Sequence, residues 1–205
     1  MLNNFYSRFK VFSIFSLGVF FLFACGTTGP SKFYTLNSLQ TFERVGQVAS
    51  EGKKLSVTID PVEIPDYLDR PQIVVRNDHN EIAVSEYDRW AGSLQDDITR
   101  VLAENLSVVL RGSQVSIFPS RPGLQSDYRI KVYITRFDIM PDDTFSMRAQ
   151  WTILGKDGVI ALAMRESNLS ERTEGRSYSD KVAAMSRTLE SLSREIASEI
   201  KKMKD

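Results

Sequence analysis

A single cysteine and a single histidine are the only thiol and imidazole groups among 205 residues. Cys25 closes the run Leu22-Phe23-Ala24-Cys25, directly after an apolar stretch over residues 11–24. A thiol so placed is suited to acylation, in which its sulfur becomes a thioether to a diacylglycerol. Arg8 and Lys10 supply a short basic n-region, an apolar h-region follows, and the small Ala24 precedes the cysteine, as in a cleavable secretory leader. Leu22 stands three residues before the cysteine, as bacterial lipoprotein signals place it, and Phe23 occupies a position where a small residue is usual. The apolar run is about 14 residues, short of the roughly 20 that span a hydrocarbon core. The expected arrangement is a signal peptide over 1–24, lipid on Cys25 and a tether to residue 32. The alternative is a buried free cysteine, or an uncleaved anchor helix that contains one.

The other candidates for chemistry explain themselves locally. His79 lies in Asn77-Asp78-His79-Asn80, a set of turn residues, and no G-x-S-x-G motif supplies a nucleophile for it. One His and one Cys are too few for the usual metal sets, and no phosphate-cradling glycine loop is present. Asp96/Asp97 and Asp142/Asp143 are adjacent acidic pairs. The first suits the positive end of a helix dipole and the second a turn after Pro141; neighbours on a helix also point apart. No catalytic or metal-binding residue is expected, and no cofactor beyond the covalent lipid.

Composition limits the partners. Without residues 1–24 the chain has 181 residues carrying 24 basic and 26 acidic side chains, since Arg8 and Lys10 leave with the leader. That length suits one domain with a sizeable core, residues 33–205. No basic excess is available to neutralise phosphates, which argues against nucleic acid. With no second cysteine to pair with, the fold has to rest on its core in an oxidising compartment. Each buried acyl CH₂ adds about 0.8 kcal/mol of membrane affinity, so two or more chains anchor stably.

The elements follow from periodicity. Residues 26–32 are small and polar, a tether of roughly 25 Å when extended. Residues 33–36 read as a short strand, 40–53 as a loop, and 54–62 as a strand with Leu55, Val57, Ile59 and Pro61 at alternate positions. Pro61, Pro65 and Pro71 exclude ladder pairing from the loop over 64–71. A hairpin pairs 72–76 with 81–85, a first helix runs over 90–109 with Ser93 as its cap, Gly112 ends it, and a strand over 115–118 and a break over 119–123 follow. Three long antiparallel strands then start near residues 128, 145 and 159. The last helix, 178–204, carries Val182, Met185, Leu189, Leu192, Ile196 and Ile200 on one stripe, to cover the sheet or to form a coiled-coil seam, with cover the preferred reading. The fold class expected is α+β: a mainly antiparallel sheet with two helices packed on one face. In the proline-rich loop, Tyr67, Leu68 and Trp90 either tuck onto the sheet or form a contact surface, and periodicity favours neither.

Three blocks carry a resemblance. They are Phe33-Tyr34-Thr35-Leu36 after the cysteine, the stretch from Val57 through Ile64-Pro65-x-Tyr67-Leu68-Asp69-Arg70-Pro71-Gln72-Ile73-Val74, and Tyr87-x-x-Trp90-Ala91 leading to Leu94. In these the chain resembles the PqiC-type auxiliary lipoproteins of ABC transport systems. The resemblance implies a non-enzymatic subunit on the periplasmic face of the outer membrane, consistent with Gly26 after the cysteine. Its partners would be an MCE-domain protein and the associated permease and ATPase that move lipids between membranes. It implies a ring-like homo-oligomer, with partner or subunit contact through Tyr67, Leu68, Arg70 and Pro71, supported by Trp90. The competing readings are an assembly factor or chaperone for an outer-membrane protein, and a periplasmic hydrolase using Asp142 or Asp143.

Overall fold

The computed structural model describes residues 29–39, 54–78, 80–119 and 125–204. The leader, Cys25, the 40–53 loop, His79 and most of the 119–123 break lie outside the described residues. The elements belong to a unit spanning Ser31–Asp205.

The frame is a meander of three long strands, β6 (Tyr128–Ile139), β7 (Thr144–Leu154) and β8 (Ala161–Arg172), paired antiparallel throughout. One face of β6 and β7 is apolar: Ile130, Val132, Ile134, Phe145, Met147, Ala149, Trp151 and Ile153 are all buried. Such a face requires a cover. Helices α1 (Leu94–Val109) and α2 (Tyr178–Lys204) supply it, and their own buried stripes join the same core cluster. All six residues of the α2 stripe are buried, so that stripe is core and not a seam to a partner.

Beside the meander the pairing turns parallel. Strand β2 (Ser56–Ile59) runs parallel to β6 on one side and to β5 (Gln114–Ile117) on the other, giving the order β5-β2-β6-β7-β8. A second sheet of three strands has β4 (Ile82–Trp90) at its centre, parallel to β1 (Lys32–Tyr34) and antiparallel to β3 (Gln72–Arg76). The class is α+β and the long ladders are antiparallel, as expected; the sheets are two and mixed. Non-local parallel pairing leaves no mark in local periodicity.

One boundary and one register differ from plain alternation. Trp90 ends β4 and does not begin the helix: its N–H is held by the Pro71 carbonyl at 2.7 Å. Ala91 and Gly92 turn the chain, and Ser93, extended at φ −65 and ψ 125, caps α1 by accepting the Asp96 N–H. In β6 an extra residue at Thr135 shifts the register between Ile134 and Arg136, so that Phe137 and Ile139 face the core beyond it. Gly112 takes φ 80 after α1, a left-handed position suited to glycine.

Segment 35–39 leaves β1 and is fastened to both helices by side chains. Asp97 accepts the Leu36 N–H at 2.6 Å while Arg100 donates to the Leu36 carbonyl at 2.8 Å. Asn105 accepts the Leu39 N–H at 2.8 Å and Ser186 the Asn37 N–H at 3.1 Å. Asp97 therefore does more than face the helix dipole. Leu192→Ala is expected to lower stability by about 3 kcal/mol in denaturant unfolding, the cost of a core cavity; an unchanged midpoint would return the stripe to the seam reading.

Candidate functional site

The proline-rich loop begins as an extension of β2. The Glu63 N–H donates to Val132 and its carbonyl accepts from Ile134, at 3.0 and 2.8 Å, beside β6. Pro65 has no N–H to continue the ladder, and the chain closes into a single 3₁₀ turn over Asp66–Leu68, with the Leu68 N–H on the Pro65 carbonyl at 2.9 Å. The turn presents Leu68 inward, 3% exposed, beside Trp90 at 5%; both belong to the core cluster. Arg70 and Pro71 are exposed and Tyr67 is half-buried. Of the five residues named for partner contact, then, the structure brings Arg70 and Pro71 to the surface, places Tyr67 at its margin and sets Leu68 and Trp90 beneath.

Tyr67 leads to a buried, paired charge. Its hydroxyl donates to Asp138 Oδ1 at 2.8 Å. Asp138 Oδ2 accepts from Arg76 Nε at 3.0 Å and Nη2 at 2.8 Å, and Arg136 Nε lies 3.8 Å away. The Asp138 side chain is only 2% exposed. It sits on the face of β6 opposite the helices, so loop, β3 and β6 meet on one carboxylate. A buried charge persists only when paired and hydrogen-bonded, and here both oxygens are occupied. Burial, and then the hydrogen bond and charge of Asp138, push the Tyr67 phenol up to about 12. Sequence reading missed Asp138, because it lies past the bulge, where alternation changes phase.

The two acidic pairs named from the sequence are engaged locally. The Asp142 carboxylate accepts the Thr144 N–H at 3.1 Å, and Asp143, at φ 58, has Arg176 at 3.6 Å and its carbonyl on the Thr173 N–H. Both serve the β6–β7 turn. Among the described residues no three His, Cys, Asp or Glu side chains gather to hold a metal ion, and no helix is long and apolar enough to cross a membrane.

Residues 34–197 match the family described as ABC-type transport auxiliary lipoprotein component. Two solved structures share the fold. One, an uncharacterised protein, has a TM-score of 0.68 at 21% identity, covering 84% of this chain and 99% of its own. The other, protein XCC0632 from Xanthomonas campestris, has a TM-score of 0.66 at 14% identity, covering 82% and 93%. Curated protein sequences return no match.

Asp138→Ala is expected to cost about 3 kcal/mol in chemical denaturation, because it removes the buried acceptor that Tyr67 and Arg76 share. Tyr67→Phe tests the same cluster by pH. The unfolded phenol ionises near 10 and the folded one only near 12, so stability is full below 10 and falls as pH rises to about 12. The variant should lose part of that alkaline decline, read as unfolding midpoint against pH; an unchanged slope would mean the hydroxyl does not couple to folding.

Proposed function

The chain belongs to the ABC-type transport auxiliary lipoproteins, and from that membership we propose that it is the lipid-anchored, non-enzymatic subunit of an MCE-type ABC system moving lipids between inner and outer membranes. The family match over 34–197 carries the reading, because it covers nearly the whole described fold and begins just after the tether. In this reading Cys25 is acylated, and the protein stands at the periplasmic face of the outer membrane as a homo-oligomer. It meets an MCE-domain protein whose permease and ATPase lie in the inner membrane.

The structure suits a mechanical role. A pull on the tether would arrive at Lys32–Tyr34, a strand paired to β4, and then at segment 35–39, clipped to α1 and α2 by Asp97, Arg100, Asn105 and Ser186. An anchored subunit needs that load spread into its core. Arg70 and Pro71 offer an exposed contact for a partner or neighbouring subunit, with Tyr67, Leu68 and Trp90 holding the loop in shape from below.

Affinity purification from detergent-solubilised membranes, comparing the wild type with Cys25→Ser, tests the reading. The wild type is expected to bring down an MCE-domain protein with its permease and ATPase, and Cys25→Ser to leave the membrane fraction. Recovery of an outer-membrane barrel alone would favour an assembly factor. A Cys25→Ser form still bound to membranes would remove the lipid anchor. In the same preparation Arg70→Glu should reduce recovery of the partner without changing the unfolding midpoint, since the side chain is exposed; a lowered midpoint would make the loop structural only.

A further inference from the structure

The small sheet β1-β4-β3 turns one face to the core and the other to solvent. Tyr34 and Trp90 stand in register and pack inward against the core cluster. Their chain neighbours Phe33 and Arg89 are also in register, and Arg89 pairs in turn with Gln72 of β3. Residues paired across a sheet share a face, so Phe33, Arg89 and Gln72 form one row across the outer side. The register shift of β3 comes only after Gln72 and leaves this row whole. Phe33 is 66% exposed at one end. Arg70 and Pro71, both exposed, lead into Gln72 at the other.

Arg89 stands apart in that row. It is half-buried on the central strand, its Nε is fully covered, and that N–H meets no acceptor. Among the described residues its guanidinium forms no ion pair. The half-buried arginines elsewhere are spoken for: Arg76 holds Asp138 at 2.8 Å, Arg100 holds Glu104 at 3.0 Å and Arg129 holds Asp60 at 2.6 Å. Asp88, next to Arg89 in the chain, turns to the opposite face, where Tyr34 and Ser85 donate to its two oxygens at 2.7 and 3.0 Å. A buried donor without an acceptor costs stability. That cost is recovered when a second chain brings the acceptor.

The size and depth of the patch select the acceptor. The row is about 10 Å across and β1 has only three residues, which leaves far less area than the roughly 800 Å² per partner of a stable contact between folded faces. It suits one short segment and not the broad face of a second copy. A flat bilayer meets Phe33 but not a guanidinium sunk between neighbouring strands. A side-chain carboxylate reaches down to it and matches its planar fork. Exposed Lys32 and Arg70 flank the row and outnumber Asp69, the exposed acid beside Arg70.

We infer that the row Phe33, Arg89 and Gln72, with Arg70 and Pro71 at its end, takes a short acidic segment of the transport partner. One aspartate or glutamate of that segment pairs with Arg89, whose stem turns so that Nε and one Nη donate to the two carboxylate oxygens. A neighbouring apolar side chain lies on Phe33 and Pro71. The inference rests on the transport reading above and gives its contact loop a ligand chemistry.

The test uses the full-length lipoprotein in its own membranes. Arg89→Met keeps the apolar stem and removes the charge, and a separate variant carries a photo-crosslinking amino acid in place of Phe33. Because the guanidinium has no partner within the fold, Arg89→Met is expected to leave the unfolding midpoint unchanged or raised, and to lower recovery of the transport partner about tenfold or more. The crosslink is expected on a peptide of that partner containing Asp or Glu. Full recovery with Arg89→Met would overturn the docking site and leave the transport reading standing. A lowered midpoint would overturn it too, making Arg89 a structural residue. So would a crosslink to phospholipid or to a second copy, assigning the face to a bilayer or to self-assembly. Failure of the wild type to recover any transport subunit would overturn the transport reading itself.

Discussion

The apolar face of β6 and β7 is the constraint on which the rest of this structure depends. A single sheet with one greasy side has no stable existence in water, and the chain answers by laying α1 and α2 across that side. The choice fixes much else. Because α2 runs the full length of the meander, the start of the domain and the β7–β8 turn are held at opposite ends of one helix. Because both helices lie on one face, the other face of the sheet is free for other uses. Near the end of β6 it receives the loop and β3 on Asp138, and along β8 it stays open.

The two uses of that outer face differ in physical character. At Asp138 the contact is a desolvated charge with both oxygens committed, so losing either Asp138 or Arg76 breaks a buried pair. It specifies how the small sheet sits on the large one, more than it adds net stability. Along Ile160, Leu162 and Met164 the surface is apolar and spends its area on nothing within the described fold.

Much of this was legible in the sequence. The α2 stripe, the meander and the β3–β4 hairpin all announce themselves because each is a local pattern with its own period. Trp90 shows where local reading stops: set between a charged stretch and a helix cap, it reads as a helix start, and only its partners Pro71 and Tyr34 make it the end of a strand. Parallel partners such as β2 with β5, joined through the whole of α1, leave no local trace at all. Asp97 reads correctly as a first-turn acid, yet its bond to Leu36 across 61 positions could not be counted from spacing. The candidate surface was legible in outline only. The I-P-x-Y-L-D-R-P block marks a constrained loop, but periodicity cannot tell which of its apolar residues turn inward.

The same limit hides which face of β8 turns to the core, although the strand itself is legible. Ile160, Leu162 and Met164 alternate as a buried strand's residues do, and alternation reports that one face is apolar without reporting which way it faces. The helix-facing side of β8 carries Ala163 and Leu169 on the core together with Arg165, Ser167 and Glu171, whose charges meet α2 at Glu199 and Arg187.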